Sequence, residues 1–62
     1  MVTYMTYRGY IIEWFDSRNA YCVYKQDAPD RAVCWGDTLL AAQIEVDYIV
    51  RRAARRRKAA RT

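Results

Sequence analysis

The chain has 62 residues, enough for one small domain, and its 53% hydrophobic and 29% charged residues exclude a disordered polymer. It has no His, so the commonest general base and the commonest metal ligand are both missing, and its two Cys cannot build a four-thiolate zinc site within one chain. A net charge of +4 hides an uneven division: residues 1–50 carry four basic and seven acidic side chains, whereas residues 51–62 carry seven basic side chains and no acid. The expected organisation is a mildly acidic, compact sheet-plus-helix body (1–50) followed by a basic, arginine-rich helical extension or tail (51–62), two parts that face different things.

Tyr10-Ile11-Ile12-Glu13-Trp14-Phe15 is rich in β-branched and aromatic residues and predicts a strand. Asp16 to Asn19 is a polar turn, and Ala20 to Lys25 predicts a second strand. Gln26 to Arg31 is expected to be a loop, because Pro29 has no N–H for a ladder. Ala32 to Trp35 predicts a short third strand ended by Gly36. Thr3 to Arg8 is an optional extension at the beginning of the first strand, with Gly9 as a bulge or kink. Asp37 and Thr38 offer capping side chains, and the run from Leu39 is free of Gly and Pro, predicting a helix from Thr38 to about Arg57. At 1.5 Å per residue such a helix is roughly 30 Å long, more than a small sheet covers, so its far end should project. The expected fold is α+β: a three-stranded antiparallel sheet packed on one long C-terminal helix.

At 3.6 residues per turn, Leu39, Ala42, Val46, Ile49, Val50 and Ala53 form one apolar stripe, the expected core face of the helix. Strand alternation assigns Tyr10, Ile12 and Trp14, Tyr21 and Val23, and Val33 and Trp35 to the same core. Two apolar sets are left over: Leu40, Ala41, Ile44 and Tyr48 on the helix, and Ile11, Phe15, Cys22, Tyr24 and Cys34 on the far side of the sheet. A two-layer domain hides one face of each layer. The candidate protein interface is therefore Leu40, Ala41, Ile44 and Tyr48, or Ile11, Phe15 and Tyr24, with a symmetric homodimer as the default and a greasy but unpartnered surface as the alternative.

The segments Tyr7-Arg8-Gly9-Tyr10-Ile11-Ile12-Glu13, Tyr21-Cys22-Val23-Tyr24 and Asp37-Thr38-Leu39 through Ala42 to Glu45-Val46-Asp47 resemble a loose group of small phage- and prophage-encoded proteins, mostly of unassigned function. The resemblance covers residues 7 to 49 and implies three strands on one helix, in the cytoplasm of a phage's host cell. Where that group has acidic residues, this chain has Leu40 and Ala41, a departure that favours a partner for the second helical stripe. The fold is also similar to the arm-binding domain of tyrosine recombinases, which inserts its sheet into DNA. The present sheet lacks the basic residues that such insertion needs.

Arg51, Arg52, Arg55, Arg56, Arg57, Lys58 and Arg61 are the candidate nucleic-acid-binding residues. Arg51, Arg55 and Lys58 share a helix face, Arg52 and Arg56 form a second row, and alanines between them favour helix without bulk. The run resembles the arginine-rich helices with which some phage antiterminators grip RNA hairpins. Guanidinium groups bind phosphate oxygens bidentately and stay charged at every relevant pH. The segment has no aromatic residue for stacking on unpaired bases. A solubilising tail and docking on an acidic protein surface are the other readings.

Cys22 and Cys34 are expected on one sheet face as cross-strand neighbours, either as two free thiols, as a redox pair, or as ligands of a metal shared between two chains. No Gly-rich phosphate loop is present, and turn and cap positions account for Asp16, Asp27, Asp30 and Asp37. The sequence thus points to a non-enzymatic binding or regulatory protein with no cofactor, no metal and no membrane span, which contacts DNA or RNA through its basic helix, as a homodimer. The rival is an inhibitor of a host protein or nucleoprotein machine such as a CRISPR effector, in the manner of an anti-CRISPR protein.

Overall fold

The computed structural model describes residues 2–60. They form four strands and one helix: β1 (Tyr4–Tyr7), β2 (Tyr10–Phe15), β3 (Ala20–Lys25), β4 (Ala28–Gly36) and α1 (Leu39–Ala60). The strands make one antiparallel sheet in the order β1-β2-β3-β4, and α1 lies across one face. The α+β class and the C-terminal helix match the sequence reading, but the sheet has four strands rather than three.

The extra strand comes from Thr3 to Arg8, which turns back on β2 instead of extending it. Tyr7 pairs with Tyr10, leaving Arg8 and Gly9 as a two-residue loop, with φ of 53° and 84°. Positive φ at both positions gives a hairpin turn whose twist matches that of the strands. Gly9 is therefore part of a turn, not a bulge. Arg8 adopts this backbone without glycine's freedom, and its guanidinium reaches across to Asp47 of α1 at 3.0 Å. Asp47 also accepts from the Tyr7 hydroxyl at 2.9 Å, so one carboxylate ties the first hairpin to the helix.

Gln26 to Arg31, expected as one loop, is mostly strand. Only Gln26 and Asp27 form the turn, and Ala28, Pro29, Asp30 and Arg31 belong to β4. Pro29 is tolerated because β4 is an edge strand and its pairing with β3 is irregular there. Val23 pairs with Cys34 but Tyr24 pairs with Ala32, so Val33 is an extra residue in a β-bulge. The bulge resets the alternation. Cys34, opposite Val23, packs against the core beneath the helix. Trp35, opposite Cys22, lies on the other face, where its ring meets Phe15 edge-on at 5.6 Å. Trp35 is thus not a core residue under the helix, and Cys34 does not point outward. Cys22 and Cys34 occupy opposite faces, which removes the cross-strand pairing expected of them, and both are free thiols. Burial pushes both thiols up from their ordinary pKa.

The core consists of Tyr10, Ile12, Tyr21 and Val23 from the sheet and Ala42 and Val46 from the helix. Ile12, Val23 and Val46 are fully enclosed, each contributing about 1.5–3 kcal/mol by removal from water. Leu39, Ile49 and Val50 pack around this centre as the helical periodicity predicts. Thr38 caps α1: its Oγ1 accepts from the Ala41 N–H at 3.0 Å, and its carbonyl accepts from the Ala42 N–H. Gly36 lets the helix sit down on β4, since a Cβ there would stand 2.8 Å from the backbone nitrogen of Ala42. The described part of the molecule measures 45 × 22 × 16 Å, and α1 runs without a break through residues 50 and 51 into the basic segment. Among the described residues no helix is long and apolar enough to cross a membrane.

Candidate functional site

The body anchors α1 as far as about Ala53. Beyond Ala53 the residues from Ala54 to Lys58 are all exposed, so the helix leaves the sheet as a cationic arm. Arg51, Arg52, Arg55, Arg56, Arg57 and Lys58 are exposed, and among the described residues none of them lies in an ion pair; the salt bridge found is Arg8 to Asp47. Arg61 lies outside the described residues. Arg51, Arg55 and Lys58 continue the outer ridge of the helix, Arg52 and Arg56 line its flank, and Arg57 falls on the core-side stripe after the sheet has ended.

Two shallow grooves flank the arm. One, of about 340 Å³, is lined by Tyr48, Arg51, Arg52, Arg55 and Arg56. The Arg52 guanidinium lies 5.6 Å from the centre of the Tyr48 ring, a cation–π contact that holds both side chains over this groove. The other, of about 390 Å³, runs between helix and sheet and is lined by Tyr10, Lys25 and Val33 on the sheet side and by Ile49, Arg52, Ala53 and Arg56 on the helix side. Lys25, the last residue of β3, is a cation that no run of basic residues in the sequence marks. It joins the site because β3 ends beside the outgoing helix, a proximity that only the sheet register supplies. Arg52 and Arg56 line both grooves, so a flexible anion can meet several positive charges from either side.

The predicted interface residues fall in two separate places. Leu40, Ile44 and Tyr48 stand on the solvent side of α1, 66%, 56% and 58% exposed, with half-buried Ala41 at their margin. Phe15, Tyr24 and Ile11 belong to the far face of the sheet. Ile11 is buried, and Tyr24 is half-buried. The Tyr24 hydroxyl donates to Glu13 Oε1 at 2.7 Å, and this bond to a carboxylate holds the phenol's pKa up at about 12. Exposed aromatic area on that face comes from Tyr4, Phe15 and Trp35, with the Arg18 guanidinium 4.8 Å above the Trp35 ring. Glu13 is the acid on this face, which makes it a poorer seat for phosphates than the arm.

Among the described residues no cluster of three or more His, Cys, Asp or Glu side chains is assembled for a metal ion. The arrangement therefore offers fixed positive charge on a rigid rod, next to an apolar ridge. Comparisons with protein-family models, with curated proteins and with solved structures give no match to this chain.

Proposed function

We propose that the chain is a non-enzymatic binding protein of the small phage type, acting in the host cytoplasm, whose basic helix grips the phosphate backbone of DNA or RNA, as a homodimer. The observation that carries this reading is the exposed arm, whose arginines and lysine have no acidic partner among the described residues; Arg51, Arg52, Arg55 and Arg56 line one open groove, and Arg52 and Arg56 line a second together with Lys25. A rod of unpaired guanidinium groups repels itself, and a polyanion relieves that repulsion while releasing its own counterions. Attachment of the arm to the body by an unbroken helix gives the charges a fixed spacing, which a frayed solubilising tail does not need. In the inhibitor reading the ridge of Leu40, Ile44 and Tyr48 is the contact surface and the basic arm occupies an acidic patch or a piece of RNA on the target.

The test is a salt series on duplex DNA and on an RNA hairpin. If Lys25, Arg52, Arg55, Arg56 and Lys58 each neutralise one phosphate on a duplex, log K falls with log salt at a slope of about −4.5, so a fourfold rise in salt weakens binding about 500-fold. Alanine at Lys25, Arg52 and Arg56 together should reduce that slope by about 2.7. Binding that is absent, or indifferent to salt, overturns the proposal. A slope unchanged by the triple variant rejects the assignment of these grooves.

A further inference from the structure

The ridge formed by Leu40, Ile44 and Tyr48 lies on the side of α1 opposite Ala42 and Val46, so the sheet does not cover it and it stands exposed among the described residues. We infer that this ridge is the seam of a two-fold dimer in which two copies of α1 pack antiparallel, with the dyad at Ile44. The inference deepens the homodimer of the proposed function and rests on it only for the use of the arms.

The occupant is a second copy because the ridge complements itself when reversed. A two-fold axis at Ile44 places each residue opposite the one equally far on the other side. Ile44 then meets Ile44, and Leu40 meets Tyr48, so every large exposed side chain of the ridge finds an apolar partner. The same operation brings Arg51 to the N-terminal end of the second copy's α1, which Asp37 precedes by two residues, twice per dimer, both of them exposed. Ala41, small and half-buried, lets the helices approach along one margin. Asp47 on the other margin is already paired with Arg8 and hydrogen-bonded by Tyr7 within its own chain.

Charge also chooses the direction. A parallel pair would lay one cationic arm along another, with like charges side by side. The antiparallel pair sends the arms out at opposite ends. Arg55 lies eleven positions beyond the dyad, so the two Arg55 stand about 33 Å apart at 1.5 Å per residue. That is far beyond the screening length of about 8 Å at physiological salt. It is also close to one turn of B-form DNA, roughly 34 Å, so both arms can address one face of a duplex. Arg51 and Tyr48, two residues lining the smaller groove, are then spent on the seam, and Arg52, Arg55, Arg56, Lys58 and Lys25 remain for phosphates.

The experiment is sedimentation of the full chain without nucleic acid, together with cysteine mapping. The parent should be a dimer at micromolar concentration and Ile44→Asp a monomer, with an unchanged circular dichroism spectrum because the side chain is exposed. Asp37→Arg should weaken association about tenfold through loss of its two pairs, and adding Arg51→Asp should restore it. Under mild oxidation Ile44→Cys should cross-link to itself. Leu40→Cys should cross-link to Tyr48→Cys but not to itself. A monomeric parent, a dimer indifferent to Ile44→Asp, self-linking through Leu40→Cys, or a charge swap that fails to restore association each overturns the seam. A monomer that still binds nucleic acid rejects the seam and keeps the arm's role, whereas a mapped dimer that ignores nucleic acid keeps the seam and rejects the proposed function.

Discussion

Gly36 is the point where the helix rests on the sheet, and replacing it with alanine perturbs that seat directly. An added Cβ would lie 2.8 Å from Ala42 N, 3.0 Å from Ala42 Cα and 3.2 Å from Ala42 Cβ. Two of these atoms belong to the helix backbone, so no side-chain rotation can make room and α1 must lift or tilt. Overpacking of this kind costs about 1–3 kcal/mol. At roughly 0.05–0.15 kcal/mol per residue, a chain of this size has only about 3–9 kcal/mol in total. With a urea dependence of about 1 kcal/mol per molar, the unfolding midpoint of Gly36→Ala should drop by about 1–3 M, followed by tryptophan fluorescence. The arm amplifies the same shift. Arg56 lies about 21 Å along the axis from Ala42, so a tilt of roughly 5° moves it by about 2 Å relative to Lys25. A midpoint within about 0.3 M of the parent would refute the close seating of α1 on β4.

Two further outcomes follow from side-chain contacts. Asp47→Ala removes the acceptor of both Tyr7 and Arg8; the half-exposed ion pair contributes at most about 1 kcal/mol, so the urea midpoint should fall slightly. The Tyr7 pKa, raised chiefly by its hydrogen bond to Asp47, should return toward its ordinary value, and phenolate absorbance would show a Tyr7 that stays raised in the variant if the reasoning is wrong. Tyr24 has a folded pKa raised from 10.0 to about 12, so the stability it lends is complete below pH 10.0 and is lost as pH climbs through about 12. Glu13→Gln should bring that phenol back toward 10.0, and a parent whose tyrosines all titrate together near that value would contradict the Tyr24–Glu13 bond.

Strands β2 and β3 were legible because their β-branched and aromatic runs are bounded by polar turns, and the helix because Thr38 caps an uninterrupted run with a clear 3.6-residue stripe. β1 was obscured by Arg8, which occupies a positive-φ turn position where Asn or Gly is the usual signal. The faces of β4 were misread from Cys34 onward because a single inserted residue, Val33, shifts a period-2 pattern without leaving any mark in the sequence. The basic arm is a run of neighbouring residues and can be read in one pass. Lys25 cannot, because it reaches Arg52 and Arg56 through sheet register and helix direction. Ile11 illustrates the converse: alternation places it on the outer face correctly, but alternation says nothing of how far its neighbours already enclose it.

Pro29 gives the fourth strand one further property. A sheet rim with free N–H and C=O groups invites another chain to add itself, and Val33 and Trp35 would make such an addition adhesive. At Pro29 an incoming strand finds no donor, and the kink at Val33 bends the rim out of line. Fibrous growth along that border is thereby discouraged. Pro29→Thr should leave the fold in place while making concentrated solutions prone to form ordered aggregates.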